Sequence, residues 1–278
     1  MTGTPRQHVA LVPSPLPAIA AARERVLADL RAAAVQVRED SLAGGADDRA
    51  RAAADSPARR LMFLDPGPSP EPIADTLSDP PAVDVMLELG ADTPAERIAG
   101  WARRIAETDV FWSLSTMTAM RMATPSRAVA QTVMHALGPR GSDELLMRVE
   151  TALHETLANA LVHGNLELPS LCTLEGDDPA VDYDDAVAAS LGDPALAGRR
   201  VEVSARCEPD LLRICVSDEG DGVPDTLWHQ SLAGGQDALA HSDKSGRGLY
   251  LTAMFCEDLN RYDAGRTVEL CFQPDGAG

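Results

Sequence analysis

Apolar residues recur with two periods along this chain. Leu153, Leu157, Ala160 and Leu161 follow the i, i+4, i+7, i+8 spacing of one helix face, and the segment 150–165 predicts a helix that Gly164 ends with a left-handed cap. The same period predicts helices over 16–31 (Ile19, Ala22, Val26, Leu27, Leu30), 94–106 (Ile98, Trp101, Ala102, Ile105), 125–137 and 249–257. Alternation with a period of two predicts half-buried strands over 200–206, 211–217 and 267–272, with Glu208-Pro209-Asp210 as a hairpin turn. Shorter apolar runs predict strands over 8–13, 60–65 and 83–89, a second strand at 35–37 and an edge strand over 111–117.

Between these elements, residues 43–58 are polar and fit a weak helix or a loop, and 66–72 are a loop by proline content. Ser142 and Asp143 suit the cap of the 150–165 helix. Residues 166–198 read as an irregular acidic insertion with a short helix at 183–191, and 225–244 as a loop. The pattern divides the chain near residue 108. Strands alternate with helices over 1–107, as in a small α/β module with a parallel sheet. Residues 108–278 carry the hairpin, the polar helix stripe and the glycine motifs.

Aromatic residues make up 4% of the chain, so Leu, Val, Ala and Met must fill the core. A formal net charge of −19 argues against a nucleic-acid or anionic-membrane surface but leaves room for a nucleotide ligand. No apolar run reaches the roughly 18–20 residues of a membrane span, and residues 1–8 lack a signal-peptide core. Cys172, Cys207, Cys215, Cys256 and Cys271 form no C-x-x-C pair and are expected to be reduced thiols in a cytoplasmic protein.

Chemistry concentrates on a second stripe of the 150–165 helix, where Glu155, Asn159 and His163 are four residues apart and lie one above the other. The neutral oxygen of Asn159 suits a hard cation such as Mg²⁺ carrying phosphates, and Glu155 can take a proton from a hydroxyl or water. Two further blocks follow: Asp218-Glu219-Gly220-Asp221-Gly222 after a strand, and Gly246-Arg247-Gly248-Leu249 opening a helix.

In this order and context the three blocks resemble the GHKL (Bergerat-fold) ATPases, and most narrowly the bacterial anti-sigma-factor serine/threonine kinases, over residues 110–273. The resemblance implies a two-layer α/β sandwich, a mixed and mainly antiparallel sheet with helices on one face, preceded by the small α/β module. Asp218 would accept a hydrogen bond from the adenine amine, while Gly220 and Gly222 allow close backbone approach. Residues 223–245 would form a lid. Gly246, Arg247, Gly248 and Leu249 would offer amides to phosphates at a helix N-terminus, beside Lys244 and Ser245. Lys244, the only lysine among 24 basic residues, stands where the related kinases usually carry Arg. Asn159 would hold Mg²⁺, His163 would border the ATP, and Glu155 would be the catalytic base.

The resemblance further implies transfer of the ATP γ-phosphoryl group to a STAS-type anti-sigma-factor antagonist, with a sigma factor as a further partner and a homodimer by analogy. Neither His8 nor His135 sits in a dimerisation helix, so histidine autophosphorylation is not expected. A different reading stays open: a nucleotide-gated protein-binding module with little or no phosphotransfer. The N-terminal segment resembles a receiver domain, with Asp65 near the end of the third strand. Val12-Pro13-Ser14-Pro15 replaces the acidic residues a receiver needs, and residues 1–243 lack lysine. The segment is therefore expected to be a degenerate, unphosphorylated receiver-like module or another α/β regulatory unit.

Overall fold

The computed structural model describes residues 8–11, 19–33, 36–39, 59–64, 83–169, 179–233 and 247–275. Five strands run parallel: β1 (His8–Leu11), β2 (Gln36–Glu39), β3 (Arg59–Leu64), β4 (Val85–Glu88) and β5 (Val110–Ser115). Four more, β6 (Arg200–Cys207), β7 (Leu212–Ser217), β8 (Asp258–Tyr262) and β9 (Thr267–Phe272), extend the sheet with antiparallel pairing. The nine strands form one sheet in the order β2-β1-β3-β4-β5-β6-β7-β9-β8.

The expected edge strand at 111–117 is therefore corrected. β5 is interior, with Phe111 and Trp112 opposite Val85 and Met86 on one side and Ser204 and Val203 on the other. Every residue of β5 is buried, which explains why its apolar run shows no alternation. Trp112 Nε1 adds a hydrogen bond to the Val83 carbonyl at 2.8 Å. The strand stops because Ser115 turns to cap α3 (Thr116–Arg121), its hydroxyl accepting from the Thr118 amide.

Among the described residues the other α-helices are α1 (Ala20–Ala32), α2 (Ala95–Glu107), α4 (Pro125–Leu137), α5 (Asp143–Ala158), α6 (Pro179–Gly192), α7 (Pro194–Ala197), α8 (Asp225–Ala233) and α9 (Arg247–Phe255). Ser142 caps α5 as expected, accepting from the Leu145 amide, and Pro125 opens α4. α6 contains the short helix expected at 183–191 and is longer than expected, while α8 corrects the expectation of a loop at the start of 225–244. Their apolar periodicity is diluted by Asp182, Asp184 and Asp185 in one and by Thr226, His229 and Gln230 in the other. β8 also went unanticipated, because Asp-Leu-Asn-Arg-Tyr at a sheet edge has little reason to alternate.

Two packed cores share the sheet. Ile19, just before α1, and Val26, Leu27 and Leu30 of α1 join Ile98, Trp101 and Ile105 of α2 over Leu61, Phe63, Val85 and Leu87. Met62, Leu64 and Met86 belong to the larger core with Val129 and Val133 of α4, Val149 and Leu153 of α5, and the inward residues of β6, β7 and β9. This second core is the two-layer α/β sandwich expected from the sequence. Its helices cover one sheet face, while Glu202, Ser204, Arg213 and Cys215 lie half-buried on the other.

The parallel half has the 2-1-3-4-5 strand order of flavodoxin-like sheets. The step from β1 to β2 runs opposite to the step from β4 to β5, yet α1 and α2 pack together on one face. These two parallel crossovers therefore have opposite hands, against the strong right-handed preference. Among the described residues no helix is long and apolar enough to cross a membrane.

Candidate functional site

Glu155 and Asn159 project from the same face of the central helix, one turn apart. Both are half-buried, and among the described residues neither side chain has a hydrogen bond or ion pair. Gly248, in the first turn of α9, closes on them. A methyl group there would lie 2.5 Å from Glu155 Oε2 and 3.8 Å from Asn159 Nδ2. The first and third sequence blocks thus meet, 93 residues apart in the chain by the numbering of Glu155 and Gly248. Leu249 is half-buried in the same turn; Arg247 opens the helix. Lys244, Ser245 and Gly246 lie outside the described residues, as does Asp65.

The helix does not end at Gly164 as expected. α5 passes at Asn159 into a π-helical turn, Asn159–Asn165, and the positive-φ glycines do not include Gly164. Gly164 is small for a different reason. A methyl on it would come within 2.6 Å of the Asp218 carboxyl, and one on Gly220 would stand 2.3 Å from the Gly164 carbonyl oxygen. The first and second blocks therefore touch backbone to backbone. Gly222 takes a φ of 81°, which an L side chain disfavours, and packs against Ala264 and Gly265.

Asp218 sits just past β7, its amide donating to the Arg266 carbonyl at 3.0 Å. Its Oδ1 accepts from the Gly220 amide at 2.8 Å. Its Oδ2 has no hydrogen bond among the described residues, which leaves a half-buried acceptor available to a ligand's amine. Burial pushes the Asp218 carboxyl up to about 6, against the opposing pull of the Gly220 amide and the Arg266 and Arg199 guanidinia.

An acid raised in this way stabilises the folded state when protonated. That contribution is fully present only below the unfolded value of 3.8 and is lost as pH rises through about 6. Asp218→Asn is therefore expected to be more stable than the parent at pH 7.5. The gain is about 1–2 kcal/mol after discounting for partial solvent exposure. The difference should shrink toward zero by pH 4 in paired urea titrations. A constant difference across that range would mean that Asp218 is not titrating as described.

His163 is placed away from a buried role. It is exposed, and its Nδ1 bonds the Leu168 carbonyl at 2.7 Å. The sequence reading missed Asn165, which is fully buried. Its Oδ1 accepts from the Glu219 amide at 2.8 Å and its Nδ2 donates to the Arg200 carbonyl at 3.0 Å. Asn165 thus ties the helix end to the strand that carries Asp218. The only signal for it was its place after His163-Gly164. Cys207, Cys215, Cys256 and Cys271 form no disulfide, and burial pushes the Cys215 and Cys256 thiols up to about 11 and about 12. Cys172 lies outside the described residues.

These groups fit a nucleotide and its cation. Asp218 offers an acceptor in a notch that side chains at Gly164 or Gly220 would fill. Asn159 offers a neutral oxygen for Mg²⁺, and Glu155 a carboxylate beside it. Residues 117–272 match the family model of the histidine kinase-like ATPase domain. Among curated proteins nothing matches the chain. With the three motif blocks in contact and more than half of its residues matched, the chain belongs to the histidine kinase-like ATPase family, an ATP-binding family.

Proposed function

We propose that this protein is an ATP-dependent serine/threonine kinase of the anti-sigma-factor type. Its substrate would be a hydroxyl of a STAS-type antagonist in a partner-switching pathway, with a sigma factor as a second partner. The observation that carries this reading is the pairing of Glu155 with Asn159 beneath Gly248, both side chains without protein partners among the described residues. A carboxylate one turn from the cation-binding amide is placed to accept the proton of an incoming hydroxyl. Mg²⁺ on Asn159 would neutralise charge on the phosphates. Asp218 orients the adenine, and the backbone amides of Arg247, Gly248 and Leu249 at the start of α9 would serve the phosphates.

The N-terminal segment is proposed to be a degenerate receiver-like regulatory module. Its strand order supports that reading, and the shared face of α1 and α2 is where it departs from a doubly wound sheet. A cytoplasmic location and a homodimer complete the proposal.

Calorimetric titration of ATP with and without Mg²⁺ tests the site. Asn159→Ala is expected to weaken Mg²⁺-dependent binding by about ten- to a hundredfold, the worth of a contact to a charged group. Equal affinity in the variant and the parent would remove Asn159 from the cation site. A gating role finds support in one contact. Arg97 of α2 pairs at 2.9 Å with Glu219, the residue after Asp218. Phosphate release and intact mass of the antagonist under turnover separate gating from transfer.

A further inference from the structure

A cleft of about 600 Å³ opens at the carboxyl ends of β4 and β5, bordered by α2, α3 and α7. None of Glu155, Asn159, Asp218 or Gly248 lines it. Its charge runs against that of the chain as a whole, which is −19. Three guanidinia face it, from Arg97, Arg121 and Arg200, against the carboxylates of Glu88 and Asp92.

Glu88 is already occupied. It is 1% exposed, and its oxygens accept from the amide and hydroxyl of Ser115 at 2.6 and 2.8 Å. It also serves as a counter-charge to Arg200. Arg200 is held in place, its guanidinium 5.4 Å from the Trp101 ring centre and its Nη1 donating to the Ser113 carbonyl at 3.4 Å. Arg97 has its partner in Glu219. Arg121 is exposed and, among the described residues, makes no hydrogen bond or ion pair. The Ser115 and Thr118 hydroxyls add polar lining.

Planar guanidinia present paired N–H donors that match phosphate and carboxylate oxygens, and a guanidinium already fixed loses little freedom on binding. The position is also one where open α/β sheets hold ligands, outside the carboxyl ends of parallel strands. We propose that this cleft binds a small molecule bearing a phosphate or carboxylate group, held by Arg97, Arg121 and Arg200. An anion drawn to Arg97 competes with Glu219, so occupancy of the cleft reaches the loop that carries Asp218.

The chain has three tryptophans, so the indole region of an amide-proton NMR spectrum is simple. Trp101 touches Arg200, while Trp228 lies under Arg261 and serves as an internal control. Potassium phosphate and malonate are titrated in separate arms into the full chain, against potassium chloride at matched ionic strength. The Trp101 signal should move saturably with at least one of the two anions while Trp228 stays. The arm that saturates at lower concentration tells a phosphate-bearing ligand from a carboxylic acid. Arg121→Gln should raise the midpoint about tenfold, and Arg127→Gln, which removes an exposed arginine of α4 outside the cleft, should leave it unchanged. The proposal is overturned if chloride moves Trp101 as far as both anions do. It is equally overturned if Trp228 moves as far as Trp101, or if Arg127→Gln weakens the response as much as Arg121→Gln.

Discussion

Glu155→Ala is expected to lower phosphoryl transfer to a partner hydroxyl by about 10²- to 10⁴-fold, the range for loss of a general base. Nucleotide affinity should change by less than about threefold, since a group acting on the hydroxyl proton is needed in the transition state and not for ATP binding. The structural cost is small. Glu155 is helical, half-buried and without a partner among the described residues, and alanine is the best helix former. The measurement pairs calorimetry of ATP binding with phosphate incorporated into the antagonist. Loss of both activities would show that Glu155 shapes the nucleotide pocket. Retention of both would remove it from the chemistry. Only loss of transfer with binding intact supports the assignment.

Gly220→Ala is expected to be the most disruptive single methyl in the site. The added carbon would stand 2.3, 2.5 and 2.7 Å from the O, C and Cα of Gly164, all backbone atoms. Neither side has slack. Gly164 belongs to the π-turn, and the Gly220 amide is bonded to Asp218 Oδ1. Overpacking of this kind costs about 3 kcal/mol, or a melting temperature lower by about 6–12 °C for a chain of this size. It should also push Asp218 out of place and weaken ATP. Gly100→Ala is the matched control. Gly100 lies inside α2 with nothing within 4 Å of the added methyl. That change should raise stability by about 0.5–1 kcal/mol. Thermal melts of both variants decide the matter, and a Gly220→Ala protein as stable as the Gly100→Ala one would mean that the two glycines are not in contact.

The strong helices were legible because their apolar residues repeat around a single buried face: Val149 and Leu153 in α5, Ile98 and Ile105 in α2. The strands of the antiparallel half were legible because one face is packed and the other half-open, which forces alternation in β6 and β7. Where both faces are packed, as in β5, alternation vanishes and the sequence gives no sign of which neighbours flank it. The site showed a similar division. Glu155, Asn159 and Asp218 were visible from residue type and spacing, and the glycines from their motifs. The reason for Gly164 was not visible. Its small size answers to Asp218, 54 positions away, and no local conformational signal encodes such a contact. Asn165 and the Arg97–Glu219 pair were hidden likewise, since each depends on which strand lies beside which.

β5 carries hydrogen bonds to β4 along one edge and to β6 along the other. Units joined by a linker ordinarily move as separate bodies, but at residue 108 this chain has no joint to swing about. The two halves are one hydrogen-bonded plate, so an input on the parallel half would reach the antiparallel half through the twist and shear of the shared strand. Stiffness then replaces reach: an input of that kind would have no search to make through space.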